Sequence, residues 1–213
     1  MKKKLILIVM LSSFYYANAQ TKKEEEKEKG FKKENLFTGG NVTLSFGSGY
    51  TVLGASPIFG YRLANWIDAG VVVNYIYTSQ RDVYQFNDKI RQSTYGGGVF
   101  TRLFPVNFLF AQAQFEHNFT TVKYIPAGIG TTDKYKADAN SLLVGAGYTQ
   151  GRERGSNTFF YVAVLFDVLK NENSPYVDVV SDGITKSVRI QPIIRAGFNI
   201  GLFEGRDRGS RYR

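Results

Sequence analysis

Between about residue 36 and residue 203 the chain alternates apolar and polar side chains with a period of two, and no 3.6-residue period competes with it. That period puts successive side chains on opposite faces of an extended strand, so the region reads as sheet with two chemically different faces. The alternation is clearest over 67–78. Ile67, Ala69, Val71, Val73, Tyr75 and Tyr77 share one face; Asp68, Gly70, Val72, Asn74 and Thr78 share the other. Over 107–121, Leu109, Ala111, Ala113, Phe115 and Phe119 alternate with Gln112, Gln114, Glu116, Asn118 and Thr120. Over 187–203, Val188, Ile190, Ile194, Ala196, Phe198, Ile200 and Leu202 alternate with Arg189, Gln191, Arg195, Gly197 and Asn199. Weaker versions at about 37–47, 52–63, 92–103, 139–150 and 158–169 bring the expected total to eight strands. Pro57 and Pro192 each remove a ladder donor, so a bulge or irregular pairing is expected at one or both.

The connections alternate between two kinds. Short turns are expected around 63–65, 104–107 and 151–157, and long polar loops at 79–91, 122–138 and 170–186. The first hairpin, near Gly47-Ser48-Gly49, is short where a long loop would fit the series. Short turns at one end and long loops at the other is the plan of an all-β, antiparallel up-and-down barrel that crosses a membrane.

Alternation alone leaves a water-soluble barrel open, because the same period can turn its apolar face inward. The lysines favour the membrane version. Lys89, Lys123, Lys134, Lys136, Lys170 and Lys186 all fall in expected loops or at strand ends, whereas a wet strand face would be dotted with Lys and Glu. Aromatic residues collect toward strand ends: Phe37, Phe46, Phe59, Tyr61, Trp66, Tyr75, Tyr77, Phe104, Phe119, Tyr148 and Phe203. That distribution is expected of two interfacial girdles.

The two termini lie outside this pattern. Lys2–Lys4, an apolar run from Leu5 to Met10 and Ala17-Asn18-Ala19 read as a signal peptide over 1–19, cleaved between Ala19 and Gln20. Its removal takes three lysines and no acid, lowering the formal charge from +9 to +6. Residues 20–35 form a charged leader, with six Lys and five Glu between 21 and 35. Such a segment buries too little apolar surface to offset its ordering entropy. The barrel is expected over 36–203, and 204–213 reads as an Arg-rich tail.

With this phase the lumen receives Arg62, Asp68, Arg102, Glu116, Asp167, Arg189 and Arg195, expected to form a mutually paired network. An unpaired charge there would cost several kcal/mol. Eight strands enclose a space that side chains fill, which favours a plugged lumen over a narrow channel. With no cysteine and one histidine, the chain has no disulfide, no thiolate metal site and no multi-His relay. No cofactor-binding motif survives inspection. Gly47-x-Gly49, Gly96-x-Gly98, Gly128-x-Gly130 and Gly145-x-Gly147 lack the third glycine and the helix of a dinucleotide loop. His117 falls at the outer interface, nominally on the lipid side.

In this pattern the chain resembles the small eight-stranded outer-membrane barrels of the OmpA/OmpX type and the porin-named outer-membrane β-barrel family. One local motif supports the likeness: Arg195-Ala196-Gly197-Phe198-Asn199-Ile200-Gly201-Leu202 is similar to the last-strand assembly signal of such barrels, carried by Arg195, Gly197, Ile200 and Leu202. It differs in using aliphatic residues where aromatics are usual. The resemblance implies a non-enzymatic protein of the Gram-negative outer membrane, surrounded by outer-membrane lipids and lipopolysaccharide and inserted by the barrel-assembly machinery. It implies a structural or surface-interaction role, with lipopolysaccharide or a protein partner at the extracellular loops and no nucleic-acid partner. The alternative is a component of an envelope secretion or assembly machine, as in the PorT-like barrels. A lipid A-modifying enzyme fits less well, because such deacylases use His-x-Ser where this chain has His117-Asn118-Phe119.

Overall fold

The computed structural model describes residues 30–47, 49–128, 130–153, 156–181 and 185–203. The expected signal peptide, the Ala19/Gln20 cleavage site, most of the leader and the tail lie outside the described residues. Among the described residues ten strands follow a short 3-10 turn at Lys33–Asn35: β1 (Leu36–Gly47), β2 (Tyr50–Ala64), β3 (Ile67–Arg81), β4 (Lys89–Val106), β5 (Leu109–Ile125), β6 (Asp133–Gln150), β7 (Phe159–Asp167), β8 (Val177–Ser181), β9 (Lys186–Ile190) and β10 (Ile193–Gly201). Eight of them close an antiparallel barrel in the order β1-β10-β7-β6-β5-β4-β3-β2, while β8 and β9 form a separate hairpin. The fold is therefore the all-β, eight-stranded, up-and-down barrel that the alternation implies.

The prolines mark two departures from ideal strands. Pro192 lies between β9 and β10, so the expected last strand over 187–203 is two strands in different sheets. Pro57 stays within β2, but the β2–β3 ladder passes from Ala55↔Tyr75 to Ile58↔Val72 without pairing Ser56 or Pro57.

Two of the expected long loops are partly strand. β3 and β4 pair up to Arg81↔Lys89, and β5 and β6 up to Tyr124↔Asp133. The connections shrink to 82–88 and 126–132, and Lys123, Lys134 and Lys136 sit within the ladders. The cause is local: Thr120, Thr121, Val122, Tyr124 and Ile125 are β-prone, and interspersed charges do not stop a strand whose outer face meets water.

The wall has unequal heights. β4 and β6 have 18 residues each and β7 and β10 nine. At about 3.3 Å per residue and a tilt near 40°, these rise about 45 Å and about 23 Å. The short strands thus match an apolar band of about 25 Å, and β3–β6 stand above it. Glycines let the narrow barrel curve. A Cβ at Gly98 would overlap the Phe115 carbonyl oxygen, and one at Gly145 would overlap that of Val164.

Candidate functional site: the filled interior and the projecting wall

The side chains separate by parity as the sequence implies, and the outward face turns polar above the short strands. Along β7 the pattern is strictly alternating: Phe159, Tyr161, Ala163, Leu165 and Asp167 are buried, and Phe160, Val162, Val164 and Phe166 are exposed. Outward-facing Val42, Leu44, Phe59, Val71, Val73, Val99, Phe115, Val144, Ile194 and Ile200 continue this apolar face around the barrel.

Of the seven ionisable residues expected inside, Arg62, Asp68, Arg102, Glu116, Asp167 and Arg195 are buried. Arg189 is not: it lies exposed on β9, because Pro192 ends the strand that would have carried it inward. Arg152 takes its place. This residue of the 151–158 connection turns back into the barrel mouth, where its guanidinium lies 3.6 Å from the centre of the Phe104 ring and donates to Asn65 O at 3.1 Å. Burial pulls that guanidinium down to about 10, against the pull of Asp68, so it is charged at neutral pH. At this end Asp68 Oδ1 faces Arg62 Nε at 3.9 Å and Arg152 Nη2 at 3.8 Å. Arg62 also donates to Ser156 O, and Asn157 Nδ2 donates to Glu34 O at 2.9 Å, so the connection folds across the mouth.

Arg102 sits deeper and is held differently from the ion pairing expected. Its guanidinium faces the rings of Tyr161 (4.4 Å), Phe100 (5.0 Å) and Phe110 (5.3 Å), while Nε donates to Gln112 and Nη1 to Asn199. Such a cage supplies favourable electrostatics without a carboxylate. The interior there is more aromatic than sequence parity suggested. Phe37 and Phe104, expected in the girdles, are buried inside with Phe100, Phe110, Phe159 and Tyr161.

Above Arg102 the inward residues of β5 form a ladder at i, i+2 spacing. Gln112 donates to Gln114 at 2.7 Å, Gln114 donates to Glu116, and Asn118 donates to Glu116 at 3.1 Å. Glu116, fully buried, also accepts from Tyr176 Oη at 2.6 Å, Asn74 Nδ2 at 3.3 Å and Arg195 Nη2 at 3.3 Å. Tyr176 reaches it from the 168–192 connection. Asp167 closes this end, accepting from Ser174 Oγ at 2.6 Å and from the amides of Leu142 and Leu169 at 3.1 Å. The interior gap lined by Asn41, Arg102, Gln112, Gln114, Tyr161 and Arg195 is about the size of one water molecule.

Arg152 and Tyr176 escaped sequence reasoning because both come from connections, where periodicity carries no information. His117 faces outward as expected. Its Nδ1 lies 2.7 Å from Asn140 Oδ1 and its ring packs edge-on to Phe119. Among the described residues no cluster of His and carboxylates could hold a metal ion.

On the projecting wall the outward face turns polar. Outward positions change from Tyr75, Tyr95 and Phe119 to Ser79, Arg91 and Lys123, while inward positions are mixed, with Ile90, Val122 and Tyr124 beside Gln80, Gln92 and Thr120. At its tip the 82–88 connection is wrapped on Asp88. Its carboxylate accepts from the amides of Val83 (2.7 Å), Tyr84 (2.9 Å) and Gln85 (3.0 Å). Local desolvation pushes the Asp88 carboxyl up, but these amides and the Tyr124 hydroxyl outweigh it and hold the group below its ordinary range. Tyr84 and Phe86 are left exposed on this turn.

A closed eight-stranded barrel with an apolar outer face, a packed polar and aromatic interior and one tall side is the architecture of the small outer-membrane barrels. Two solved structures of that kind are among those similar to the chain. The N-terminal β-barrel domain of Pseudomonas aeruginosa OprF is 12% identical, with 78% of this chain and 98% of that one covered and a TM-score of 0.38. Yersinia pestis outer-membrane protein Ail, in a phospholipid bilayer nanodisc, is 11% identical, with 78% and 97% covered and a TM-score of 0.36. No family model and no curated protein matches the chain, so the porin-named family gains no support from sequence comparison.

Proposed function

We propose that the chain is an integral protein of the Gram-negative outer membrane with a filled, non-conducting lumen. It has no catalytic activity and acts structurally and through the wall and loops that rise on its tall side. The change of the outward face along β3–β6 carries this reading. Below the Tyr75–Tyr95–Phe119 row that face is apolar, and above it the face is mostly polar and charged, with Ser79, Arg81, Ser93, Arg91, Thr121 and Lys123. A soluble barrel has no reason to change its outer face from apolar to polar partway up a strand. A barrel that leaves a bilayer does. In this reading lipopolysaccharide and other outer-membrane lipids surround the belt. The assembly machinery recognises the last strand, where Ile200 and Leu202 face outward and Arg195 and Gly197 belong to the inward-facing set. The filled interior leaves no ion path. Folded protein in a planar bilayer is expected to show no steady conductance, and in cells the chain should fractionate with the outer membrane and shift on gels when heated. Recovery as a soluble periplasmic protein, or a stable open-channel current, would overturn the reading.

A further inference from the structure

The outward face of the projecting wall carries six cations on four adjacent strands: Arg81, Lys89, Arg91, Lys123, Lys134 and Lys136. The ladder sets them directly opposite one another. Arg81 pairs with Lys89, and Arg91, Lys123 and Lys134 form one unbroken row across β4, β5 and β6. Directly opposed residues hold their Cβ atoms about 5 Å apart, and like charges at that spacing destabilise a sheet. Among the described residues none of the six forms an ion pair, and no outward strand position of β3–β6 beyond the aromatic row carries an acid, since Asp138 lies in that row, opposite Phe119.

Protection of an exposed edge explains only part of this. Among the described residues β6 has no strand partner beside Asp133–Ser141, because its bonding toward β7 begins where Leu142 O accepts from Val168 N, and edge lysines discourage strand addition. That accounts for Lys134 and Lys136. It leaves Arg81, Lys89, Arg91 and Lys123, which lie on strands paired on both sides.

Position supplies the rest. The cationic rows lie on the same outward face as the apolar belt and begin just past Tyr75, Tyr95 and Phe119, with Tyr95 and Phe119 stacked at 5.5 Å. A lipid whose chains lie along this face has its headgroup at the level of the cations. From this juxtaposition we infer that the outward wall of β3–β6 is a binding site for phosphorylated lipid headgroups of the surrounding leaflet, whose phosphates sit between the opposed cations of the Arg91–Lys123–Lys134 row. The inference rests on the membrane reading above and adds the ligand class and the residues that hold it. The anion turns a repulsive row into an attractive one, and the strand ladder fixes the spacing in advance.

The test uses the full chain, folded in neutral detergent, and fluorescently labelled lipid A bearing both phosphates. Arg91→Gln, Lys123→Gln and Lys134→Gln combined should weaken binding about a hundredfold, from roughly fivefold per charge at a membrane surface. Raised salt should weaken the parent far more than the triple variant. Lipid A stripped of phosphate should bind the parent as weakly as the phosphorylated lipid binds the variant. Lys170→Gln with Lys186→Gln, in the 168–192 connection, should leave binding unchanged. Equal binding by parent and triple variant, equal binding of phosphate-free lipid, or displacement by equimolar inorganic phosphate would each overturn the site. The heat shift of the parent and triple variant is checked first. Failure there in the parent would count against the membrane barrel itself, separately from the lipid site.

Discussion

Replacing Arg195 by Met removes a guanidinium from the barrel centre and keeps most of its apolar stem. Glu116 keeps its hydrogen bonds from Gln114, Asn118, Asn74 and Tyr176 but loses the cation 3.3 Å away. At that distance, with an effective dielectric constant of about 20, the attraction is about 5 kcal/mol. Removing one partner of a buried ion pair costs about 3–5 kcal/mol, because the remaining charge stays desolvated. Glu116 is fully buried, so that range applies. The assay is urea unfolding in lipid vesicles, followed by the heat shift and by the fluorescence of Trp66, the single tryptophan. Arg195→Met should lower stability by about 3–5 kcal/mol. Adding Glu116→Gln to it should recover more than half of that loss, since the two sites are directly coupled. A single variant within about 1 kcal/mol of the parent, the value of a solvated pair, would refute the reasoning. Water would then reach Glu116 and the interior would not be filled.

Two further predictions concern the loop and the wall. Asp88→Asn should loosen the 82–88 connection and raise chymotrypsin cleavage at Tyr84 and Phe86 without altering the heat shift. Because the folded carboxyl lies below its ordinary 3.8, the order it confers is complete above that value and is lost as pH falls through the lower folded value. Hydrogen exchange at 82–88 should therefore rise only in strong acid. Gly98→Ala places a methyl group against the Phe115 carbonyl oxygen and should abolish the heat-shifted form, whereas Ala113→Ser on the outward face of the next strand should not.

What could be read from the sequence follows from where periodicity operates. Arg102, Glu116 and Asp167 lie within uninterrupted strands, so parity alone sent them inward. Arg189 obeyed the same parity until Pro192 removed its strand from the barrel. Arg152 and Tyr176 fill the interior from connections, where a side chain's direction depends on how the chain folds back. Phe37 and Phe104 occupy inward positions that, near the mouth, hold aromatic packing around Arg102 and Arg152. Aromatic placement near a strand end therefore does not distinguish girdle from core. The projecting wall was hidden for a related reason. Its outward face is polar where the belt is apolar, so Lys123, Lys134 and Lys136 resembled loop residues.

The depth of one outward side chain in lipid tests the membrane account most directly. With Trp66→Phe and Val99→Trp, the chain carries one tryptophan, at an outward position midway along β4 that is 56% exposed in the valine form. In vesicles of lipids brominated at defined depths, its fluorescence should be quenched most by bromines deep in the acyl chains and should be insensitive to aqueous iodide. Quenching by iodide, with no effect of bromine at any depth, would contradict the account.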